Sequence, residues 1–436
     1  MDSKKSAPWS RERFLRATTL GAAAVAAPTV IPSSALGFAG HTAPSGRITM
    51  ALIGNGLIMH GHYGSMLGTK SVQVLAVCEV DRKKREAGKA RVERHYAQAS
   101  DSGSYKGCDA YNEHERVMER TDIDACVIGT PDHWHVPISL DAIRSGKDVY
   151  VEKPMSLTIR EGRMLADAVR RHGAVLQVGS QQRSDNAFRK AAEMVRNGWI
   201  GKINEIYARL GRFPDGMVLS KEPIPEGFDY DRWLGPTPWY PYNAKRVEGN
   251  YGGGWRSYWE YGSRKNGDWG AHHYDIIQWA LGMDHTGPEF FFPIGYNGSE
   301  WQGYRYANGP TIYRNRDGST GQMIEFRGEK GVIGVSRNGQ LTTTPAGLAN
   351  LPTKPSEQHL YASADHRQNW LDCIRTRKRP IADVEVGHRT ATICHLSAIS
   401  ERLNRPIAWN PSTEEIVGDA EAAKWLDRPR RAPYTL

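Results

Sequence analysis

The chain has 436 residues, 39% hydrophobic and 24% charged, with a formal net charge of +9. This is a globular composition at a length that calls for two domains plus tails rather than one core. The positive charge is spread out, and its densest run, Arg82 to Arg85, opens a helical pattern as a solvated face does. With neither zinc-type ligand spacing nor a nucleic-acid motif beside it, the sequence excludes a nucleic-acid partner and a metal centre.

The first forty residues read as an export signal. A basic head containing Arg11, Arg13 and Arg16 precedes a short apolar stretch rich in Ala, Gly and Thr, and a small-residue end follows. The head resembles a twin-arginine signal, with Glu12 standing where the second arginine of the pair is expected, so the general secretion path stays open. Pro28 and Pro32 interrupt any folded helix here, and cleavage is expected near Ala35 to Ala39. The expected destination is the periplasm, or the cytoplasm if the signal does not function. Beyond it no run of about 18 apolar residues predicts a membrane span. The five cysteines are scattered and odd in number, which implies no disulfide framework.

Residues 47–53 form a short apolar run of the kind a buried parallel strand shows. They lead into Gly54-Asn55-Gly56-Leu57-Ile58-Met59-His60-Gly61. Gly54 permits a tight turn, and Gly56 lets a pyrophosphate approach the backbone where helix N–H groups and the dipole favour an anion. Met59 occupies the usual third glycine position, with Gly61 two residues later. A second strand over residues 72–79 ends in Glu79, 25 residues after Gly54, close to the spacing at which a carboxylate holds the adenosine ribose hydroxyls. That carboxylate would repel a 2′-phosphate, so NAD is favoured over NADP, although the nearby Arg82 is a residue type that accommodates the phosphate.

Residues 124–130 read as a further strand, ending in Thr130 and Pro131 and then Asp132-His133-Trp134-His135. His133 and His135 either contact cofactor or substrate at this strand end or pack with Trp134. Residues 148–154 repeat the pattern and end in Glu152-Lys153-Pro154, and a helix is expected to follow over residues 155–172. Residues 175–179 look like the first strand of the second domain, carrying Gln181, Gln182 and Arg183 toward the same cleft.

Strands ending in TPDHWH and VEKP, followed by Asp268, His272 and Asp275 in the spacing D-x-x-x-H-x-x-D, resemble the Gfo/Idh/MocA family of oxidoreductases. The resemblance runs from about residue 46 to the end, with Trp370-Leu371-Asp372-Cys373-Ile374-Arg375 and Val386-Gly387-His388-Arg389 matching as well. It implies an α/β chain: a Rossmann doubly wound parallel sheet at residues 46–178, then a second α+β domain at residues 179–410. That second domain carries a large open, mostly antiparallel sheet, the substrate and oligomer contacts and C-terminal helices, and residues 411–436 are expected as a partly ordered tail. By the same resemblance Lys153 and His272 are the acid–base pair with Asp268 assisting. Asp275 is then structural, and Glu152 positions Lys153 and the nicotinamide.

The spacing of Asp268, His272 and Asp275 places all three on one helix face, where a carboxylate one turn away orients an imidazole and favours its charged form. Expected cofactor contacts are Gly54, Gly56, Leu57, Ile58 and Glu79 at the first two strands. Thr130, Pro131, His133, His135, Glu152, Lys153 and Gln181 are expected at the later ones. Residues 233–269 hold five tryptophans and five tyrosines. Most of these are expected as a satellite core, with one or two stacking on a sugar ring. Arg183, Trp255, Arg256, Tyr261 and His273 are the candidate substrate contacts.

The sequence therefore points to NAD-dependent oxidation of a secondary hydroxyl of a sugar, glycoside or cyclitol. The alternatives are a redox-neutral glycosidase or lyase with tightly bound NAD, and a non-catalytic sugar-binding protein. Intact Lys153, Asp268 and His272 argue against the last. The resemblance also implies a homodimer or homotetramer.

Overall fold

A computed structural model of the chain describes residues 46–98 and 103–436. The export segment, residues 1–40, lies outside the described residues. Among the described residues no helix is long and apolar enough to cross a membrane, and all five cysteines are buried thiols.

The first sheet has six strands: β1 (Ile48–Ile53), β2 (Val72–Cys78), β3 (Asp109–Tyr111), β4 (Ala125–Ile128), β5 (Asp148–Val151) and β6 (Leu176–Val178). They run in the order β3-β2-β1-β4-β5-β6, and every pair is parallel. β4 and β5 are buried at every position, because helices cover both faces of a parallel sheet. The order reverses between β1 and β4, which opens a crevice at the carboxyl ends of the strands. The strand expected to begin the second domain, at residues 175–179, is instead the edge of this sheet: β6 pairs in parallel with β5.

The helix after EKP forms over Ile159–His172. Thr158 caps it by accepting from the Glu161 N–H, and Gly173 ends it at φ 64°. The second sheet has nine strands. They are β7 (Ile203–Ala208), β8 (Phe290–Phe292), β9 (Gly303–Arg305), β10 (Thr311–Arg314), β11 (Ile324–Gly328), β12 (Gly331–Val335), β13 (Leu341–Thr344), β14 (Ile407–Asn410) and β15 (Glu415–Ile416). Their order is β13-β12-β11-β7-β10-β9-β8-β14-β15, antiparallel throughout except where β10 pairs with β7.

One face of this sheet is covered by the helices Asn186–Arg196, Arg264–Leu281 and Val384–Leu403, which share a core with Ile206, Phe291, Ile312 and Phe326. The shorter helix His366–Thr376 returns to the parallel sheet, where Trp370, Leu371 and Cys373 pack beside Met50, Leu52 and Tyr150. The last segment is better ordered than the tail expected from the sequence: β15 closes the open sheet, and Ile416, Ala422 and Leu426 join its core.

Candidate functional site

The nucleotide cleft lies at the crevice between β1 and β4. Gly54 ends the β1 turn at φ +86°, and a Cβ there would stand 2.8 Å from the Thr130 nitrogen, so both the dihedral and the space require glycine. A Cβ on Gly56 would meet nothing within 4 Å, because that position faces the open cleft at the start of the helix Met59–Gly68. The missing third glycine is compensated across the interface. Met59 packs against Gly129 at the end of β4, where a Cβ would stand 2.6 Å from the Met59 sulfur. The small residue sits on the strand instead of the helix.

Glu79 follows β2 and accepts hydrogen bonds from the Asn55 N–H at 2.7 Å and the Asp81 N–H at 3.0 Å. Its carboxylate is thereby fixed beside the glycine turn. The resulting cleft, about 320 Å³, is lined by Gly54, Gly56, Leu57, Ile58, Glu79, Thr130 and Pro131 among others. Thr130 Oγ1 is buried there with no hydrogen-bond partner among the described residues. A buried hydroxyl left unsatisfied beside an anion-accepting turn fits a polar ligand. The Thr130 hydroxyl, the Glu79 carboxylate and the open face at Gly56 together fit a dinucleotide.

A strap from the second half of the chain lines one side of this cleft. The Arg82 N–H donates to Gly227 O at 2.9 Å and the Asp229 N–H donates to Val80 O at 3.1 Å, a short antiparallel bridge. Arg82, the residue suited to a 2′-phosphate, turns to Glu226 at 2.7 Å. Phe228, Trp233, Tyr242 and Trp255 complete the apolar wall.

The second cluster begins where β5 ends. Lys153 donates from Nζ to Asp268 Oδ1 at 3.2 Å, and Arg256 Nε stands 3.1 Å from Asp268 Oδ2. Asp268 lies on the helix Arg264–Leu281, and all three side chains are between 9% and 12% exposed. Arg256 also lines the nucleotide cleft and lies over the Trp255 ring at 4.1 Å, so it joins the two clusters.

His272 is one turn beyond Asp268 and buried, but the two do not pair: Asp268 Oδ1 accepts from Lys153 and Arg256, while Asp268 Oδ2 and His272 Nδ1 each lack a hydrogen-bond partner among the described residues. The expectation that Asp268 favours a charged imidazole is corrected accordingly. Burial, then the positive charges of Lys153 and Arg337, hold His272 well below the usual histidine range. The imidazole is neutral near pH 7, and its Nδ1 has no partner among the described residues. A neutral ring at this position can accept a proton.

The remaining expected residues divide. Glu152 is buried and accepts from His62 Nε2 at 3.0 Å, from Gln181 Nε2 at 3.3 Å and from the Lys153 N–H at 3.2 Å. Asp275 is structural: with Asp284 it holds Arg183 at 2.8 and 2.7 Å. Arg183, expected at the substrate, is 2% exposed and fully engaged in that network.

His133 resolves to packing. Its Nε2 stands 2.8 Å from Trp233 O, and its ring meets Trp134, Trp233 and Tyr261. His135 resolves the same way: its ring nitrogens face Pro154 O at 2.8 Å and Thr130 O at 3.0 Å, which ties the Lys153 turn to the end of β4. Tyr261 is wholly buried in the satellite core of Tyr230, Trp233, Tyr242, Trp255 and Tyr258, and His273 is buried beside Trp269. Neither reaches a ligand surface, whereas Trp255 and Arg256 do.

Two residues of the site were not singled out from the sequence. Asp132, buried between the clusters, is pushed up to about 8 by burial and then by the charge of Asp268. His62 had one available signal: it falls on the inward face of the glycine-loop helix, a polar residue among Met59, Tyr63 and Met66.

Comparisons with known proteins agree with this geometry. The description "Oxidoreductase family, NAD-binding Rossmann fold" matches residues 48–180, and "Oxidoreductase family, C-terminal alpha/beta domain" matches residues 213–436. Among curated relatives, scyllo-inositol 2-dehydrogenase (NAD(+)) of Bacillus subtilis is 36% identical over 86 residues, 20% of this chain and 25% of that protein. A glycosyl hydrolase family 109 protein of Saccharopolyspora erythraea is 30% identical over 219 residues, 46% of each. The chain spans between a quarter and about half the length of the curated relatives it matches. Among solved structures, the WlbA dehydrogenase of Bordetella pertussis, in complex with NADH and UDP-GlcNAcA, superposes with a TM-score of 0.57 at 17% identity. That match covers 84% of this chain and 99% of that one. The chain belongs to the Gfo/Idh/MocA oxidoreductase family, and its first sheet is an NAD-binding Rossmann fold.

Proposed function

We propose that this family member is an NAD-dependent oxidoreductase acting on a secondary hydroxyl of a sugar, glycoside or cyclitol. The observation that carries the reading is Arg256, which lines the nucleotide cleft and shares Asp268 with Lys153. It sets an ammonium, a carboxylate and, one turn on, a neutral imidazole beside the cofactor's site. When bound, NAD supplies a hydride acceptor. The chain's residues supply the rest. Gly54, Gly56 and the start of the Met59–Gly68 helix receive the pyrophosphate, and Glu79 receives the adenosine ribose. The Lys153 ammonium donates to the substrate oxygen and stabilises negative charge developing there. His272 takes the hydroxyl proton, and Asp268 keeps Lys153 oriented.

A redox-neutral variant, in which the hydride returns to the same molecule after elimination and hydration, is favoured by the strap at residues 226–229. Its bridge to residues 80–82 ties it to the cleft wall, where it would retain the nucleotide between turnovers. Retention also suits the proposed export of the folded chain to the periplasm, where free NAD is scarce. A homo-oligomer built on the open nine-stranded sheet belongs to the same reading.

The test is incubation of the purified protein with inositols, monosaccharides and aryl glycosides, with absorbance followed at the NADH band. NADH build-up with added NAD supports net oxidation, and glycoside cleavage without added cofactor supports the neutral cycle. Lys153→Ala is expected to abolish either while NAD still binds. A protein that binds no nicotinamide nucleotide overturns both.

A further inference from the structure

The carboxylate beside Lys153 does not stand alone. Glu152 is buried, and the Oε1 that faces His62 has only Gln181 as a second contact. It lies against the backbone of Gly179, where a Cβ would stand 2.9 Å from both of its oxygens, so that position requires glycine to leave room for the carboxylate. His62 is wholly buried, on the helix that follows the glycine turn. Its other ring nitrogen, Nδ1, receives Arg367 Nε at 3.1 Å from the helix His366–Thr376.

These contacts fix the tautomer. A guanidinium has only donors, so Nδ1 of His62 must accept, and the ring's single proton is on Nε2, where it donates to the carboxylate. A doubly protonated ring would set two donors against each other at Arg367. Burial raises Glu152, but the His62 hydrogen bond and the charges around it outweigh burial and hold the group down at about 2. The other groups facing this pair are Lys153 at the end of β5, His135 on the helix His135–Arg144, and Asp365, His366 and Tyr150. Tyr150 meets the His62 ring edge-on at 4.9 Å.

We propose that His62 is a positioning residue. With its proton on Nε2 it keeps Glu152 ionised and in place, and it thereby couples the seating of the glycine-loop helix to the strand end that carries Lys153. The coupling is geometric as well as electrostatic. The same helix starts at the nucleotide's phosphate site, and Glu152 Oε2 accepts the Lys153 backbone N–H. The negative charge so held lies one residue from Lys153, on the strand beside β4, whose end lines the cleft. It therefore favours the cationic ring of NAD+ over the neutral ring of NADH. This consequence rests on the function proposed above.

The test needs no substrate. NAD+ and NADH affinities are measured by tryptophan fluorescence from pH 6 to 8.5 for the native protein, His62→Gln, His62→Leu and Glu152→Gln. The native ratio of affinities should vary across this range only as Asp132, beside Lys153 and Arg256, ionises near 8, and the variants are read against that profile. Glu152→Gln should lose about tenfold of the preference for NAD+ at every pH, the scale of one unit charge across roughly 10 Å at an effective dielectric of about 20. His62→Leu should match the native protein at pH 8.5 and approach Glu152→Gln at pH 6, because a buried carboxyl without its donor takes up a proton. His62→Gln, which offers both an acceptor and a donor, should restore the native profile.

A merely structural His62 would change both affinities by the same factor at all pH values, and that result, or a His62→Leu profile identical to the native one, overturns the proposal. Independently, 15N spectra of the cofactor-free protein should place the His62 proton on Nε2 at pH 7.5; a proton on Nδ1 refutes the assignment. A protein that binds neither nucleotide refutes the proposed function, and the tautomer then decides the matter of His62 alone.

Discussion

Acidification from pH 7 to pH 5 should destabilise this protein by several kcal/mol, because its buried histidines outnumber its buried, raised carboxyls. Burial lowers seven histidines: His133 and His366 to about 4, His273 and His395 to about 3, and His135, His272 and His388 in the same direction. Below pH 6.5 the unfolded chain protonates them and the folded chain does not, so their contribution is complete above 6.5 and is lost as pH falls. Over this interval His133, His366, His273 and His395 each cost about 2 kcal/mol. Two buried carboxyls oppose the trend. Asp132 is raised to about 8 and Asp275 to about 6, chiefly by burial in both cases. The folded state binds their protons while the unfolded state does not, which returns roughly 4 kcal/mol over the same interval.

The remainder is a large fraction of an ordinary stability of about 5–15 kcal/mol, and it should lower the thermal midpoint by several degrees in differential scanning calorimetry. His273→Phe is the internal control. Neither nitrogen of that ring has a hydrogen-bond partner among the described residues, so an apolar ring loses little there. The variant should flatten the pH slope by about one proton, roughly 1.4 kcal/mol per pH unit. A midpoint that is level or rises between pH 7 and 5 would refute the claim that these rings are buried uncharged.

Three further outcomes follow from the same geometry. Asp268→Asn leaves Lys153 and Arg256 without their shared anion, so it should cost about 3–5 kcal/mol of stability as well as activity, read by thermal unfolding beside an NADH assay; an unchanged midpoint would mean the pair is not held as described. Gly129→Ala drives a Cβ into the Met59 sulfur and should cost about 1–3 kcal/mol, and Met59→Ala in the same chain should recover most of that loss in a double-mutant cycle. Asp229→Ala removes both the cap of the helix Tyr230–Leu234 and the bond to Asn112 at 2.8 Å. It should speed cofactor release several-fold in a stopped-flow displacement experiment, and an unchanged release rate would show that the strap does not retain the nucleotide.

The parallel sheet was legible in the sequence because a buried parallel strand is apolar along its whole length, as Ala125–Ile128 and Asp148–Val151 are. The one misassigned strand, Leu176–Val178, has that same character. A three-residue apolar run does not say which sheet it joins, and only pairing with β5 decides it. The return of the helix His366–Thr376 to the first core was invisible for a similar reason. Trp370 and Leu371 mark an apolar face, but periodicity names a face and not its partner.

The site divides along the same line. Lys153, Asp268 and His272 were singled out by the family resemblance of their motifs, with the shared helix face of two of them and the strand-end place of the third beside it. Their pairing was not found, because spacing along one helix says nothing of a competitor arriving from another segment, and Arg256 and Lys153 take the carboxylate that His272 was expected to use. The histidines show the physics most plainly. His133, His135 and His273 looked available as ligands, yet each is 1% exposed. His62, on the inward face of a helix with no recognisable motif around it, holds the charge beside Lys153. A sequence motif locates polar side chains near a site. Which of them reaches the ligand is set by what else is close enough to satisfy them first, and in a buried site that competition includes segments distant in the chain, as Lys153 and Asp268 are.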